Sequence, residues 1–427
     1  MGGRLYALQV RRREEYALLA EDNRVSQRLL MPPRGNIIDR RGRILAENRP
    51  SYRVRIIRED AGDVEQVLNR LKELIALPPD KINTLLEQTI NYRSFVPITI
   101  IDGLNWQEIS AVAIHSPDLP GIVLDAGLMR HYPYRNVLAH ILGYVGSVSD
   151  ADLERDNDPI LRLPEFRIGK SGLESNYDQI LRGKTGSSRV EVNALGREIR
   201  ELDRQKGAPG NDVTLTLDVE LQQFCFERLS SELSASAAVI DVNSGAVHAL
   251  ASVPSFNPTS FANGLSQRDW RELSSNPRTP LVNKTISGQY PPGSTFKMIT
   301  ALAALESGIL TQHYEAFCPG HMSLGNARFH CWKQHGHGRI SLVQALAQSC
   351  DVYFYDVARR VGVDAIAAMA RKFGLGEVSG IDLPNEASGL VPTSEWKKSA
   401  LGESWQRGET LVIGIGQGYL LTTPLQL

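Results

Sequence analysis

Four cysteines in 427 residues are too few to hold a chain this long together by disulfides. No apolar run reaches the length needed to span a bilayer. The opening Met1-Gly-Gly-Arg4 lacks the apolar segment and cleavage site of a secretory signal. Basic side chains (47 Lys and Arg) do not outnumber acidic ones (48 Asp and Glu), and the formal charge of −1 argues against a nucleic-acid partner. Internal repeats and low-complexity tracts are missing too. What remains is an ordinary globular composition, 42% hydrophobic and 22% charged, over a length that suits two or three domains.

The polar, charged stretch 200–211 is the natural boundary. Ahead of it, residues 4–30 read as a helix-like lead through Leu5, Leu8, Tyr16, Leu18 and Leu19. The run Arg11–Glu15 is either a solvated face or the foot of a membrane anchor outside this sequence. Asp39-x-x-Gly42 between Ile37-Ile38 and Ile44-Leu45 predicts strand, tight turn, strand. Val64, Val67, Leu68, Leu71, Leu74 and Ile75 follow helical spacing and predict that residues 63–95 are helical. A short helix is expected between Gly169 and Gly183.

Beyond the boundary, a strand at 213–217 leads into a helix over 218–233 that holds Cys225 as a core residue. A hairpin follows: apolar alternation over 236–242, the turn Asn243-Ser-Gly245, and a second strand over 246–252. From 294 onward the pattern is mostly helical. It includes a helix at 342–348 capped by Ser341, one at 352–361 capped by Asp351, and short β and turn segments at 378–392.

The chemistry concentrates at Gly288-Gln-Tyr-Pro-Pro-Gly-Ser294-Thr-Phe-Lys297. Pro291, Pro292 and Gly293 fix a turn, and the apolar run 298–305 continues as a helix to Gly308. Ser294 therefore falls in a first helical turn, where free N–H groups and the helix dipole favour developing negative charge. Lys297, three residues on, shares its face. A serine hydroxyl is a weak nucleophile until a neighbour takes its proton. A lysine can do so only when neutral, which asks for a site that is partly buried or rich in positive charge. A second Ser-x-x-Lys, Ser394–Lys397, follows Pro392-Thr393 without an apolar helix behind it and reads as a turn with a short capped segment.

The order of motifs resembles the class B penicillin-binding proteins, and within them the rod-shape branch, penicillin-binding protein 2. The resemblance rests on Arg34-Gly35 with Asp39-Arg40 and Gly42, on Arg130, Tyr132-Pro133 and His140, and on Gly172-Leu173-Glu174 with Tyr177. It continues through the 236–258 hairpin, Ser294-Thr-Phe-Lys297, Ser349-Cys350-Asp351 and Gly414-Ile-Gly-Gln-Gly418-Tyr419. It implies a multidomain α/β chain. After a membrane-proximal stub (1–33) comes an elongated α+β pedestal of the dimerisation type (34–211). A transpeptidase domain (212–427) follows, with an antiparallel, β-lactamase-like sheet flanked by helices.

It also implies a reaction. Ser294 would attack the D-Ala-D-Ala end of a peptidoglycan stem peptide with Lys297 as base, and Ser-x-x-Lys is a known signature of such enzymes, in which the acylation base is disputed. Penicillins and other β-lactams would acylate Ser294. Ser349 matches the second motif and could relay a proton, while Asp351 stands where many relatives carry Asn and cannot donate as an amide does. The implied setting is the periplasmic side of a bacterial inner membrane, with a SEDS-family glycosyltransferase and rod-complex scaffold proteins as partners. Rival readings are a β-lactam sensor or non-catalytic scaffold, and a D,D-carboxypeptidase.

The family's third motif, Lys-Ser/Thr-Gly, does not follow the second in this sequence. The literal Lys184-Thr185-Gly186 precedes the nucleophile and reads as a β-turn. The expectation is a chain cut at both ends, with an unfinished sheet edge. If the absent strand supplies an oxyanion donor, a rate roughly a hundredfold lower follows for the chain by itself.

The spacing Cys318-x12-Cys331-x5-His337-x12-Cys350 sets three thiols and an imidazole together, a donor set that suits tetrahedral zinc. The surrounding Cys331-Trp-Lys-Gln-His335-Gly-His337 resembles a loop that carries zinc in some members of the rod-shape branch. A disulfide or buried free thiols are the alternatives, and His335 is a second candidate imidazole.

Overall fold

Asp39 makes the first tight turn with its own side chain: Oδ1 accepts from the N–H groups of Arg41 and Arg43, both at 2.8 Å. Gly42 closes the turn at φ 79°, in the left-handed region. A computed structural model describes residues 25–75, 94, 97–163, 166–192, 198–262, 264–311 and 313–427. They group into two units, residues 1–216 with 257–270, and residues 217–256 with 271–427. Among the described residues, no helix is long and apolar enough to cross a membrane.

In the first unit the long strand Ile44–Ile56 organises a five-stranded sheet. It pairs antiparallel with Ile37–Ile38 at one end, and with Ile98–Leu104 and Ile122–His131 along the rest. The helices Val64–Leu74 and Trp106–Ile114 pack on this sheet. Val67, Leu68, Leu71 and Val112 join Val54, Ile56 and Ile100 in one buried cluster. Asp63 caps the first helix and an Asn105–Glu108 capping box starts the second. The helix expected over 63–95 is corrected to one that ends at Leu74, with Ile75 as its C-cap, and residues 76–93, 95 and 96 lie outside the described ones.

A separate three-stranded sheet pairs Val25–Leu30 with Gly186–Val192, which in turn pairs Glu198–Gln205. The helix-like lead is thus corrected over 25–30, where the backbone hydrogen-bonds as a strand, while residues 1–24 lie outside the described ones. The same sheet corrects the turn expected at Lys184-Thr185-Gly186. Lys184 bridges Ala208 and Gly186 opens a strand.

Motif residues of the first unit meet in a buried charge network. Glu174, fully buried, accepts from Arg34 Nε and Arg130 Nε, both at 2.6 Å. Asp178 takes Arg34 Nη1 at 2.7 Å, the Gly169 N–H at 2.8 Å, and Arg182. Burial alone would lower the Arg34 pKa, but Glu174 and Asp178 outweigh it and raise it. These residues join the strand end at Arg130 to the short helices 172–176 and 178–181.

In the second unit the hairpin Ala235–Ile240 and Val247–Val253 forms as its turn residues predict. The helix Val219–Leu229 packs on it, and Gln222 brackets Leu250 by accepting from its N–H (2.7 Å) and donating to its carbonyl (2.9 Å). Val219, Gln222 and Phe226 form the buried face. This corrects the placing of Cys225 in the core. It sits on the flank of that face and is half-buried, next to an exposed Phe224. Two further strand pairs, 315–318 with 338–341 and 321–324 with 327–330, lead into the helices Leu342–Ala347, Asp351–Val361 and Val363–Lys372. Ser341 and Gln344 form the capping box of the first of these.

Candidate active site

Pro292 and Gly293 (φ 62°) deliver Ser294 into one 3₁₀ turn, Gly293–Phe296, and the α-helix Lys297–Glu306 begins directly behind it. Ser294 is exposed while Lys297 is buried to 1% exposure. The turn is held from outside by the Gly293 N–H, which donates to the Gly416 carbonyl at 2.8 Å. Gly416 stands at φ 76°, and a Cβ there would come 2.1 Å from the Gly293 carbonyl oxygen. Only glycine allows the 414–418 segment to lie this close to Ser294.

The second motif arrives on the turn between the helices Leu342–Ala347 and Asp351–Val361. Ser349 has φ 51°, a left-handed conformation costly for a residue with a Cβ. Its hydroxyl occupies the centre of the site. Oγ accepts from Lys297 Nζ at 2.9 Å and donates to Ser294 Oγ at 2.9 Å. Lys297 Nζ also donates to the Ser349 carbonyl (2.9 Å) and to Asp351 Oδ1 (2.6 Å). Nζ thereby has three hydrogen-bond partners. Ser294 and Lys297 are thus joined through Ser349 and not by a bond of their own.

Asp351 does not cap its helix. Cys350 is the N-cap and Asp351 the first helical residue. Its oxygens are committed elsewhere, Oδ1 to Lys297 and Oδ2 to the backbone N–H of Trp332 at 2.9 Å. Trp332 is the residue that sequence reasoning missed. Its indole Nε1 donates to the carbonyls of Gln348 (3.0 Å) and Ser349 (3.1 Å), so one exposed tryptophan grips both sides of the strained turn. Its place after Cys331 was visible, but an aromatic beside a candidate metal ligand carries no sign that its N–H will be used elsewhere.

Beside this grip lies the thiol cluster. The ligand atoms of Cys318, Cys331, His337 and Cys350 all fall within 4.8 Å of one another. The three cysteines are buried and unpaired. Cys331 Sγ and His337 Nδ1 are 3.6 Å apart, the separation expected of a thiolate and an imidazole sharing a tetrahedral zinc with bonds of about 2.3 and 2.0 Å. Burial pushes the Cys350 thiol well up, with Cys318 and Cys331 adding to it, so this site disfavours a bare thiolate. Burial also lowers the His337 pKa, as does Lys333, which favours the neutral imidazole. The donor set fits a zinc ion. His335 is exposed and stands outside the cluster.

The second Ser-x-x-Lys is not assembled. It lies on an eight-residue helix, Ser394–Leu401, capped by Thr393, longer than the short segment expected. Ser394 Oγ donates to Asp364 at 2.7 Å, while buried Lys397 pairs with Glu409 at 2.5 Å and Glu403 at 3.2 Å.

Comparison with known proteins matches residues 30–215 to the family described as penicillin-binding protein dimerisation domain, and residues 235–427 to the penicillin-binding protein transpeptidase domain. The peptidoglycan D,D-transpeptidase MrdA of Escherichia coli strain K12 is 38% identical over 428 residues, which cover 99% of this chain and 68% of that protein. Among solved structures, the complex of penicillin-binding protein PBP2 with MreC from Helicobacter pylori matches with a TM-score of 0.83 at 30% identity, covering 94% of this chain and 76% of that one. A structure titled for the coordination of polymerization and crosslinking by a peptidoglycan synthase complex matches at a TM-score of 0.71 and 31% identity, over 100% of this chain and 73% of that one.

Proposed function

This chain belongs to the MrdA family of penicillin-binding proteins, the peptidoglycan D,D-transpeptidases, and from that premise we propose that it cross-links stem peptides through an acyl-enzyme on Ser294. The observation that carries the residue assignment is Ser349 Oγ, 2.9 Å from both Ser294 Oγ and Lys297 Nζ.

Ser294 Oγ bonds to the carbonyl carbon of the penultimate D-Ala. The C–N bond to the last D-Ala breaks, and its amine leaves with the proton that Ser294 gives up. That proton travels by way of Ser349, which faces the nucleophile on one side and Lys297 on the other. An amino group of a neighbouring stem then attacks the ester. The new C–N bond is the cross-link, and Ser294 recovers its proton. Asp351 keeps the Lys297 amine in register with Ser349. Penicillins enter the same first step and stop at the ester.

Cys318, Cys331, His337 and Cys350 would hold a structural zinc ion, which supplies no chemistry to the reaction. Its place would be to fix the 331–337 loop, and with it Trp332, against the turn that presents Ser349. Metal analysis should find one zinc per chain, lost in Cys350→Ser. A metal-free protein with a 318–331 or 331–350 disulfide by mass would sink this assignment.

The reading places the protein at the periplasmic face of the inner membrane, held by an anchor, with a SEDS-type glycosyltransferase and a rod-complex scaffold as partners. The relatives solved with MreC and within a synthase complex support such partners. Labelling the full-length protein with a fluorescent penicillin, wild type against Ser294→Ala, tests the nucleophile. Supplying lipid-linked precursor and a glycan polymerase tests the reaction. Cross-linked dimers are expected. Trimmed stems alone would mean a carboxypeptidase, and labelling without either product a sensor.

A further inference from the structure

The first unit contains a cavity of 540 Å³ that the acyl-transfer reading does not use. Six arginines line it: Arg34, Arg53, Arg55, Arg130, Arg167 and Arg204. Two lining carboxylates, Asp102 and Asp125, face them. Asp125 is shared between Arg53 (3.7 Å) and Arg55 (2.9 Å), and Asp102 accepts from the Ser51 hydroxyl at 3.2 Å. Glu174 and Asp178 pair with Arg34 and Arg130, and Arg182, which also holds Asp178, has Asp156 and Asp158 as further partners. Among the described residues, Arg167 bonds a neutral hydroxyl, Ser147 at 3.2 Å, and the nearest carboxylate to Arg204 is Glu201 at 4.0 Å. Among the described residues, Arg167 therefore has no carboxylate partner, and Arg204 has one only at 4.0 Å.

Two details mark the cavity as built. Arg130 has a side chain 2% exposed, with Nε on Glu174 and Nη1 on the Gly35 carbonyl, yet its Nη2 is buried with no hydrogen-bond partner. A buried guanidinium nitrogen left unsatisfied is costly and calls for an explanation. Arg53 lies against the backbone at Gly127, where a Cβ would come 1.8 Å from its Nη2, so the absence of a side chain at 127 makes room for the guanidinium. The cavity also has an apolar side, from Met31, Leu128, Met129 and Phe166.

Planar guanidinium forks match the paired oxygens of carboxylate and phosphate groups. We propose that this cavity binds a small polyanion, a molecule with two or more carboxylate or phosphate groups on a short carbon or phosphoanhydride frame. Its oxygens complete the hydrogen bonding of the Arg130 guanidinium and offset the charge of Arg167 and Arg204. The site is distinct from Ser294 and its neighbours, which belong to the second unit.

The probes are citrate and pyrophosphate, titrated by calorimetry into the full-length protein at low ionic strength. The expected result is saturable one-to-one binding with a Kd below about 1 mM for at least one of them. Binding should weaken as salt is added. Preference for citrate identifies a carboxylate ligand and preference for pyrophosphate a phosphate one. The double variant Arg55→Gln/Arg167→Gln should bind about tenfold more weakly. Should it fail to fold, Arg204→Gln, at an exposed position, serves instead and should weaken binding about threefold. No saturable heat with either probe, or equal affinity in wild type and folded variant, overturns the proposal.

Discussion

The indole Nε1 of Trp332 donates to the carbonyl of Ser349 at 3.1 Å, and that carbonyl also accepts from Lys297 Nζ at 2.9 Å. An exposed side chain outside the motifs thereby shares an acceptor with Lys297. Trp332→Phe keeps an aromatic ring beside His337 and the backbone bond to Asp351, and removes the indole donor together with the pyrrole ring that carries it. The expected cost is about 1 kcal/mol of stability. Penicillin labelling of Ser294 should slow by about tenfold as the turn loses its hold on Ser349. A labelling rate equal to wild type would show that the other bonds suffice to place Ser349.

Ser349 combines two demands that substitutions can separate. Its Oγ links Ser294 to Lys297, and its backbone sits at φ 51°. Ser349→Ala and Ser349→Gly both remove the hydroxyl, and each should slow labelling by about a hundredfold or more. Their stabilities should differ, since alanine in a left-handed conformation costs about 1 kcal/mol that glycine avoids. Denaturant titration is the check. Equal midpoints would mean that the turn relaxes once the hydroxyl is gone.

Much of this site was legible because it is written locally. Ser294 and Lys297 lie three residues apart, the turn before them is spelled by Pro292 and Gly293, and the cysteine spacing pointed to a cluster that the fold assembles. Asp351 was misjudged for a physical reason. An aspartate ahead of a helix is an N-cap by default. Here Lys297, 54 residues away in sequence, claims one of its oxygens and the Trp332 backbone the other. The strand at 25–30 was unreadable for a like reason, since its partner at 186–191 lies some 160 residues on and its own periodicity does not report it. Motif residues such as Arg34, Arg130 and Glu174 could be singled out by family pattern, but only the fold shows that they are partners.

That partnership sets a stability prediction. Glu174 is fully buried and accepts from two guanidiniums, Arg34 and Arg130, each at 2.6 Å. Glu174→Gln retains the shape and one acceptor oxygen but leaves buried positive charge uncompensated. Breaking one partner of a buried ion pair costs about 3–5 kcal/mol. The melting transition of the first unit should fall accordingly, by circular dichroism or calorimetry. A melting curve unchanged from wild type would mean that water reaches the network in solution.

Acid should act on the same unit through Asp152. Burial by itself would raise this carboxyl's pKa, but hydrogen bonds from Lys170 and from the Ser149 hydroxyl and N–H outweigh it and hold it at about 2, against 3.8 for the free group. A group whose pKa is depressed by folding stabilises the fold while ionised. Its contribution is complete above the unfolded value and is lost as pH falls through the folded one. Asp152→Asn should therefore melt below wild type by a constant margin from pH 7 down to about 4. The margin should close between about pH 4 and 2, as wild type takes up the proton that the variant has no site for. Paired melting curves across that range are the measurement, and a margin still open at pH 2 would show that Asp152 acts through packing and not through its charge.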